Sequence, residues 1–286
     1  MPVRRARVLL VPVLVAGLLT ACHSGGQDHH GKSAPGVDPA VFVKAVNTTL
    51  NVAPNHVVTS TTLTGTGKNP KKHQQRVEGL VGKAPDSATT LLMSDQAESM
   101  ARRIGDTAWL YSQAPQVRSR LPHGVRWVRM KADRLAAAGV PTTGDQLSMA
   151  YVLRGARSIR REGKAKAEDV RTRRYTFDVD LHRAVCAAPP RLRGDVQALL
   201  TAPKGTTTPM SGTAWIDRFH LIRRLRLTVT LHDIGKVVYE LRLPGDGKKA
   251  RVKRPPKDTV ISLSKLPKVA ARIPKRRSDV SPSCPT

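Results

Sequence analysis

"SGTAWIDRFHLIRRLRLTVTL", residues 211 to 231, sets Arg218, Arg223, Arg224 and Arg226 in a run that is otherwise largely apolar. Such a stretch is either a basic surface for nucleic acid or lipid headgroups, or a strand with one buried face. From Arg224 onward, Arg224, Arg226, Thr228 and Thr230 fall on one parity and Leu225, Leu227, Val229 and Leu231 on the other. Successive strand side chains point to opposite faces, so the arginines belong to the wet face and the leucines to the core. Arg218 falls in the turn. Arg223 lies on the apolar parity, where its stem is expected to pack while its head reaches out to water.

The flanks repeat the pattern. In "VRTRRYTFDVDLH" (170–182), Tyr175, Phe177, Val179 and Leu181 alternate with Arg174, Thr176, Asp178 and Asp180. In "GKVVYELRLPGDG" (235–247), Val237, Tyr239, Leu241 and Leu243 alternate with Val238, Glu240 and Arg242. Strict alternation predicts strands with one face buried and one solvated. Further upstream, "HVVTSTTLTGTG", "QQRVEGLVG", "SATTLLMS", "SMARRIGDTAWLYS" and "VRWVRM" follow one another between turn residues, the spacing of an antiparallel meander.

Helical patterns interrupt the strands. "VDPAVFVKAVNTTL" (37–50) offers Asp38 as N-cap and Pro39 as first helical residue, with Phe42, Val46, Thr49 and Leu50 on one face. "KADRLAAAG" and "GDQLSMAYVLRGARSI" (144–159) carry good helix formers, and Leu147, Ala150, Tyr151 and Arg154 share a face in the second. "PPRLRGDVQALL" (189–200) predicts a helix inserted between strands. The order is that of an α+β protein, a large antiparallel sheet with helices gathered against it.

The N-terminus supplies the setting. Arg4, Arg5 and Arg7 precede an uncharged run from Val8 to Leu19, followed by "LLTAC" ending at Cys22. A run of this length fits the apolar core of a secretory signal, roughly 7–15 residues, and falls short of a membrane span. "LLTAC" resembles the bacterial lipobox, which implies a signal peptide over 1–21, diacylation of Cys22 and attachment to the cell membrane on its extracytoplasmic face. Residues 22–37 read as a flexible tether, 38–263 as the domain, and 264–286 as a basic disordered tail.

The formal charge is +28, or +25 once residues 1–21 and their three arginines are removed. Outside the cell that charge is expected to meet anionic envelope components, such as acidic headgroups and wall polymers. An aromatic content of 3% leaves few platforms on which to stack bases, so no nucleic-acid partner is expected. Besides Cys22 only Cys186 and Cys284 occur, which leaves open whether they form a disulfide. No nucleophile elbow, phosphate loop, dinucleotide fingerprint or metal-ligand spacing is present, so no catalytic residue, metal site or cofactor is expected.

"DVRTRRYTFDVDLHRA", "GTAWIDRFHLIRRLRLTVTL" and "RVKRPPKDTVISL" together resemble the actinobacterial lipoproteins of the LppX/LprG type, relatives of the LolA lipoprotein carrier. "IGDTAWLYS" and "LPHGVRWVRM" agree more loosely. The resemblance covers most of residues 38–263 and departs from the family in the turn "DRFHL", where a glycine is often found. His220 tolerates a left-handed backbone better than a β-branched residue would.

The resemblance implies a half-barrel of about eleven strands, twisted and curved around helices on its concave face. It also implies a lipid or other apolar ligand held non-covalently between the two layers. Candidate lining residues are Tyr175, Phe177, Val179, Leu225, Leu227, Val229, Tyr239 and Leu241. The alternative is a surface interaction or sensor lipoprotein with a filled core, binding anionic envelope polymers or the ectodomain of a membrane protein.

Overall fold

The computed structural model describes residues 37–52, 55–66, 70–82, 87–95, 97–137, 146–189, 193, 196, 210–231, 235–245 and 251–266. The expected signal peptide, Cys22, most of the tether, most of the 189–200 helix, Cys284 and the tail beyond residue 266 lie outside the described residues.

Helix α1 (Ala40–Val52) starts as its sequence predicts: the Ala40 N–H donates to Asp38 Oδ1 at 2.8 Å, and Phe42, Ala45, Val46 and Thr49 are buried. The strands are β1 (His56–Thr64), β2 (Lys72–Val81), β3 (Ser87–Ser94), β4 (Glu98–Ile104), β5 (Thr107–Ser112), β6 (Trp127–Lys131), β7 (Ala156–Ala167), β8 (Val170–Val179), β9 (Met210–Asp217), β10 (Ile222–Leu231), β11 (Gly235–Arg242) and β12 (Val260–Ser262). Shorter helices α2 (Pro115–Arg118), α3 (Asp133–Ala137) and α4 (Leu181–Cys186) and a 3-10 helix (Ser148–Gly155) join them.

Among the described residues, twelve strands form one open, curved sheet in the order β12-β6-β5-β4-β3-β2-β1-β11-β10-β9-β8-β7. Neighbours are antiparallel except β12, which joins β6 in parallel, so the expected antiparallel sheet has a mixed edge. The α+β class and the placement of helices against one face hold. β1 pairs with β11, so the run β1–β6 and the run β7–β11 meet in the middle of the sheet, and the crossover is the connection from β6 to β7 at the opposite edge.

Two elements differ from the sequence reading. The helix expected over 144–159 is a buried 3-10 helix that ends at Gly155, and Ala156–Ile159 open the edge strand β7. Gly155 is required there, because a Cβ would collide with the Asp180 carbonyl and Ala184 where the 3-10 helix meets α4. Asp180 does not share a strand face with Asp178: β8 stops at Val179, and Asp180 caps α4 by accepting the Arg183 N–H at 3.0 Å. That cap also turns Leu181 out of the expected strand alternation.

The hairpin of residues 211–231 keeps its predicted parity, with Leu225 and Leu227 buried and Arg226 exposed. His220 adopts φ 62°, the left-handed conformation its position requires. Arg223 departs from expectation. The β9–β10 register shifts between Ile222 and Arg224, and Arg223 Nε donates at 2.8 Å to Asp217, whose side chain is fully buried. A bulge adds one residue to a strand, so parity cannot be counted through it. The guanidinium is held inward by a carboxylate and does not reach water freely.

Asp217 is the anchor of this turn. Its Oδ1 accepts from the N–H groups of Phe219 (2.8 Å) and Leu221 (2.9 Å), while Oδ2 faces Arg223. On the helix side, Thr49 Oγ1 accepts the Ile222 N–H at 3.0 Å, beside the register shift. The helix and the hairpin are thereby locked together by side chains that satisfy strand irregularities.

Candidate functional site

The inner face can be followed strand by strand, because directly opposed residues in antiparallel strands share a face. One row of partners runs Tyr175, Ala214, Leu225, Leu241, Thr59, Val77, Leu92, Ser99 and Ser112, from β8 across to β5. A second row runs Phe177, Gly212, Leu227, Tyr239, Thr61 and Gln75. A third passes Val57, Gly79, Thr90, Ala101, Leu110, Val128 and Ile261.

Two apolar clusters stand on this one face. The larger gathers Phe42, Ala45 and Val46 of α1, the 3-10 helix, Ala184 and Val185 of α4, and the inward residues of β8 to β11. The smaller combines Ala101, Ala108, Val128, Met130 and Leu135, with Ile261, Leu263 and Leu266 packed against it. Between them the rows narrow to small and hydroxylated side chains: Thr59, Thr61, Gly79, Thr90 and Ser99. Val77 and Leu92 are the larger apolar residues of this stretch.

The expected lining residues come together. Tyr175, Phe177, Val179, Leu225, Leu227, Val229 and Leu241 are all buried in the larger cluster, and Tyr239 packs against it half-buried. Phe42 meets Tyr175 and Phe177 edge-on, with centroids 5.7 and 5.1 Å apart. A Cβ at position 212 would run into the Phe177 ring, so glycine there is what lets the ring lie flat on β9. Burial raises the pKa of the Tyr239 phenol above its ordinary value of 10.0.

An open cleft of about 330 Å³ lies elsewhere, between Val37 and Pro39 at the start of α1 and residues 156–160 at the start of β7. None of the eight expected lining residues borders it. Among the described residues, no group of three or more His, Cys, Asp or Glu side chains is placed to hold a metal ion.

The outer face is a lattice of charge. Arg224 pairs with Glu240 at 3.1 Å and lies 4.9 Å over the Trp215 ring. Arg242 reaches Glu168 through two hydrogen bonds of 2.6 and 3.0 Å, which raise its pKa despite its own desolvation. Glu78 takes both Arg76 (3.0 Å) and His56 (2.9 Å). The alternation of residues 224–230 foretold this face. The buried ion pair at Asp217 was missed, and its signal was an acid placed just before a turn and six residues ahead of an arginine on the wrong parity.

No protein-family profile and no curated protein matches the chain. Solved structures do. Lipoprotein LppX of Mycobacterium tuberculosis is 14% identical with a TM-score of 0.40, over 76% of this chain and 100% of that one. LprF from Mycobacterium bovis is 11% identical with a TM-score of 0.42, over 77% of this chain and 99% of its own. A LolA superfamily protein from Nitrosomonas europaea is 8% identical with a TM-score of 0.24, over 76% and 94%. These proteins include the group whose motifs residues 170–263 resemble. At such scores they transfer no ligand, partner or reaction to this chain.

Proposed function

We propose that this chain is an exported lipoprotein, anchored through Cys22 on the extracytoplasmic face of the cell membrane, that binds a lipid or acylated molecule non-covalently between sheet and helices. The observation that supports the reading is the inner face itself: two apolar clusters on one continuous curved sheet, separated by a band of small side chains, Thr59, Thr61, Gly79, Thr90 and Ser99, which we read as a trough. In this reading an acyl chain lies against the small side chains at matching positions on successive strands, with Val77 and Leu92 as its apolar floor. An acyl chain fits such a site because ligand pockets are mostly apolar with few polar groups.

In this reading Tyr175, Phe177, Val179, Leu225, Leu227, Val229 and Leu241 form the closed end of the site, sealed by Phe42. Tyr239, opposite Thr61, stands at the border with the trough and offers a neutral hydroxyl to a polar headgroup. Neither binding nor release requires a covalent step, so no catalytic residue, metal or cofactor is assigned.

The test is lipid extraction and mass spectrometry on protein purified from membranes in mild detergent, in parallel with an unrelated lipoprotein. Stoichiometric recovery of one lipid class, absent from the control, supports the reading. Recovery of no lipid beyond the covalent anchor overturns it and favours a filled core with a surface-binding role.

A further inference from the structure

The edge hairpin β7–β8 carries charge that the fold does not neutralise. Residues 156–174 hold eight arginines and lysines against three acids. Those acids are engaged: Glu168 with Arg242, Glu162 with Arg174 at 3.7 Å, and Asp169 with Lys166 at 3.0 Å. Arg160, Arg161, Lys164, Arg171 and Arg173 are exposed and enter no ion pair among the described residues.

The register makes the excess sharper. Lys164 stands directly opposite Arg173, and Lys166 opposite Arg171, while Arg161 faces Tyr175. Arg161, Lys164, Arg171 and Arg173 therefore project from the inner face, beyond the apolar cluster, while Arg160, opposite Thr176, lies on the other face. Like charges directly across a strand pair destabilise a sheet. An arrangement repeated at two successive pairs is relieved by an anionic surface that meets both strands at once.

The position of the hairpin says which surface. β7 is an edge strand, and its first residues, Ala156–Arg160, border the cleft against Val37 and Pro39, where the tether enters the fold. Fourteen residues separate the proposed anchor at Cys22 from Val37, so the anchored chain enters the fold beside this edge. We infer that the β7–β8 hairpin is a docking surface for anionic phospholipid headgroups, holding the edge of the sheet against the bilayer that carries the anchor. Only the tether argument rests on the Cys22 anchor; the charge pattern is independent of it and of the proposed ligand. A second electrostatic contact is what converts a lipid-tethered protein from freely swinging to oriented.

The experiment uses the full lipidated protein in vesicles of phosphatidylcholine alone or mixed with phosphatidylglycerol, reading amide exchange over 157–174 and acylation of Lys164 and Lys166. Docking predicts several-fold protection in the anionic vesicles only. The protection is lost at about 0.5 M salt, where exposed charges are screened, and in the triple variant Arg161→Glu, Lys164→Glu, Arg173→Glu. Uptake of a fluorescent fatty-acid probe is unchanged in that variant, which separates this surface from the ligand site. Equal exchange in the two vesicle types, or protection that appears only on adding a soluble anionic wall polymer, overturns the inference. The salt arm on the unaltered protein decides the matter even if the triple variant folds poorly.

Discussion

The carboxylate of Asp217 lies 2.8 Å from Arg223 Nε, with the Asp217 side chain fully buried and that of Arg223 only 11% exposed. Removing one partner of a buried pair leaves the other charge uncompensated, which costs about 3–5 kcal/mol. Asp217→Ala is expected to lose that much in urea unfolding, since it also frees the Phe219 and Leu221 N–H groups. Asp217→Asn keeps an acceptor for the turn and is expected to lose less. Equal losses for the two would show that the charge contributes nothing beyond the hydrogen bonds.

Thr49 and Ile222 give a second test. Thr49→Val preserves shape but strands a buried N–H, at a cost of about 1–3 kcal/mol, whereas Thr49→Ser keeps the acceptor. Thermal melts of the two variants check the contrast. A Val variant as stable as the Ser variant would show that the Ile222 N–H finds another partner.

Gly212→Ala probes the packing of the inner face. Its Cβ meets the Phe177 ring, and overpacking of this sort typically costs about 1–3 kcal/mol. A double-mutant cycle with Phe177→Leu is expected to recover most of the loss, because the two residues are in contact. Simple additivity would place the strain elsewhere.

The legible part of this fold was the part whose strands have one wet and one dry face. β8, β10 and β11 alternate cleanly, and α1 announces itself by Asp38, Pro39 and its buried face. β7 did not, because "ARSIRREGKAKA" is an edge strand with polar residues on both faces and two irregularities in its register, which erase the period of two. The eight residues Ser148–Gly155 are buried almost throughout, so helical propensity alone could not distinguish a 3-10 helix from an α-helix. At the candidate site, the buried residues of β8, β10 and β11 were readable from parity. The trough was not, since Thr59, Gly79, Thr90 and Ser99 gain meaning only when the register aligns them.

Tyr239 makes a prediction in pH. Its folded pKa is raised by burial above the unfolded value of about 10, so the fold favours the neutral phenol. Its contribution is complete below the unfolded pKa and is lost as pH rises through the folded one. Tyrosinate absorbance should show a late-titrating step that Tyr239→Phe abolishes, and the variant's stability should fall less steeply at alkaline pH. A titration curve unchanged by the substitution would contradict the burial of this phenol.

Cys186 is disulfide-bonded, and the remaining cysteines are Cys22 and Cys284. If the sulfur of Cys22 carries the anchor, it is unavailable, and non-reducing peptide mapping should find Cys186 joined to Cys284. A Cys186–Cys22 peptide would contradict lipidation at Cys22.

The central claim, an apolar ligand in the trough between the two clusters, is tested most directly by titrating delipidated protein with a fluorescent fatty-acid probe. Saturable binding of one probe per chain is predicted, weakened at least tenfold by Thr61→Trp, which fills the trough from a half-buried position. A folded wild-type protein that takes up no probe, or one whose binding is unaffected by Thr61→Trp, would contradict it.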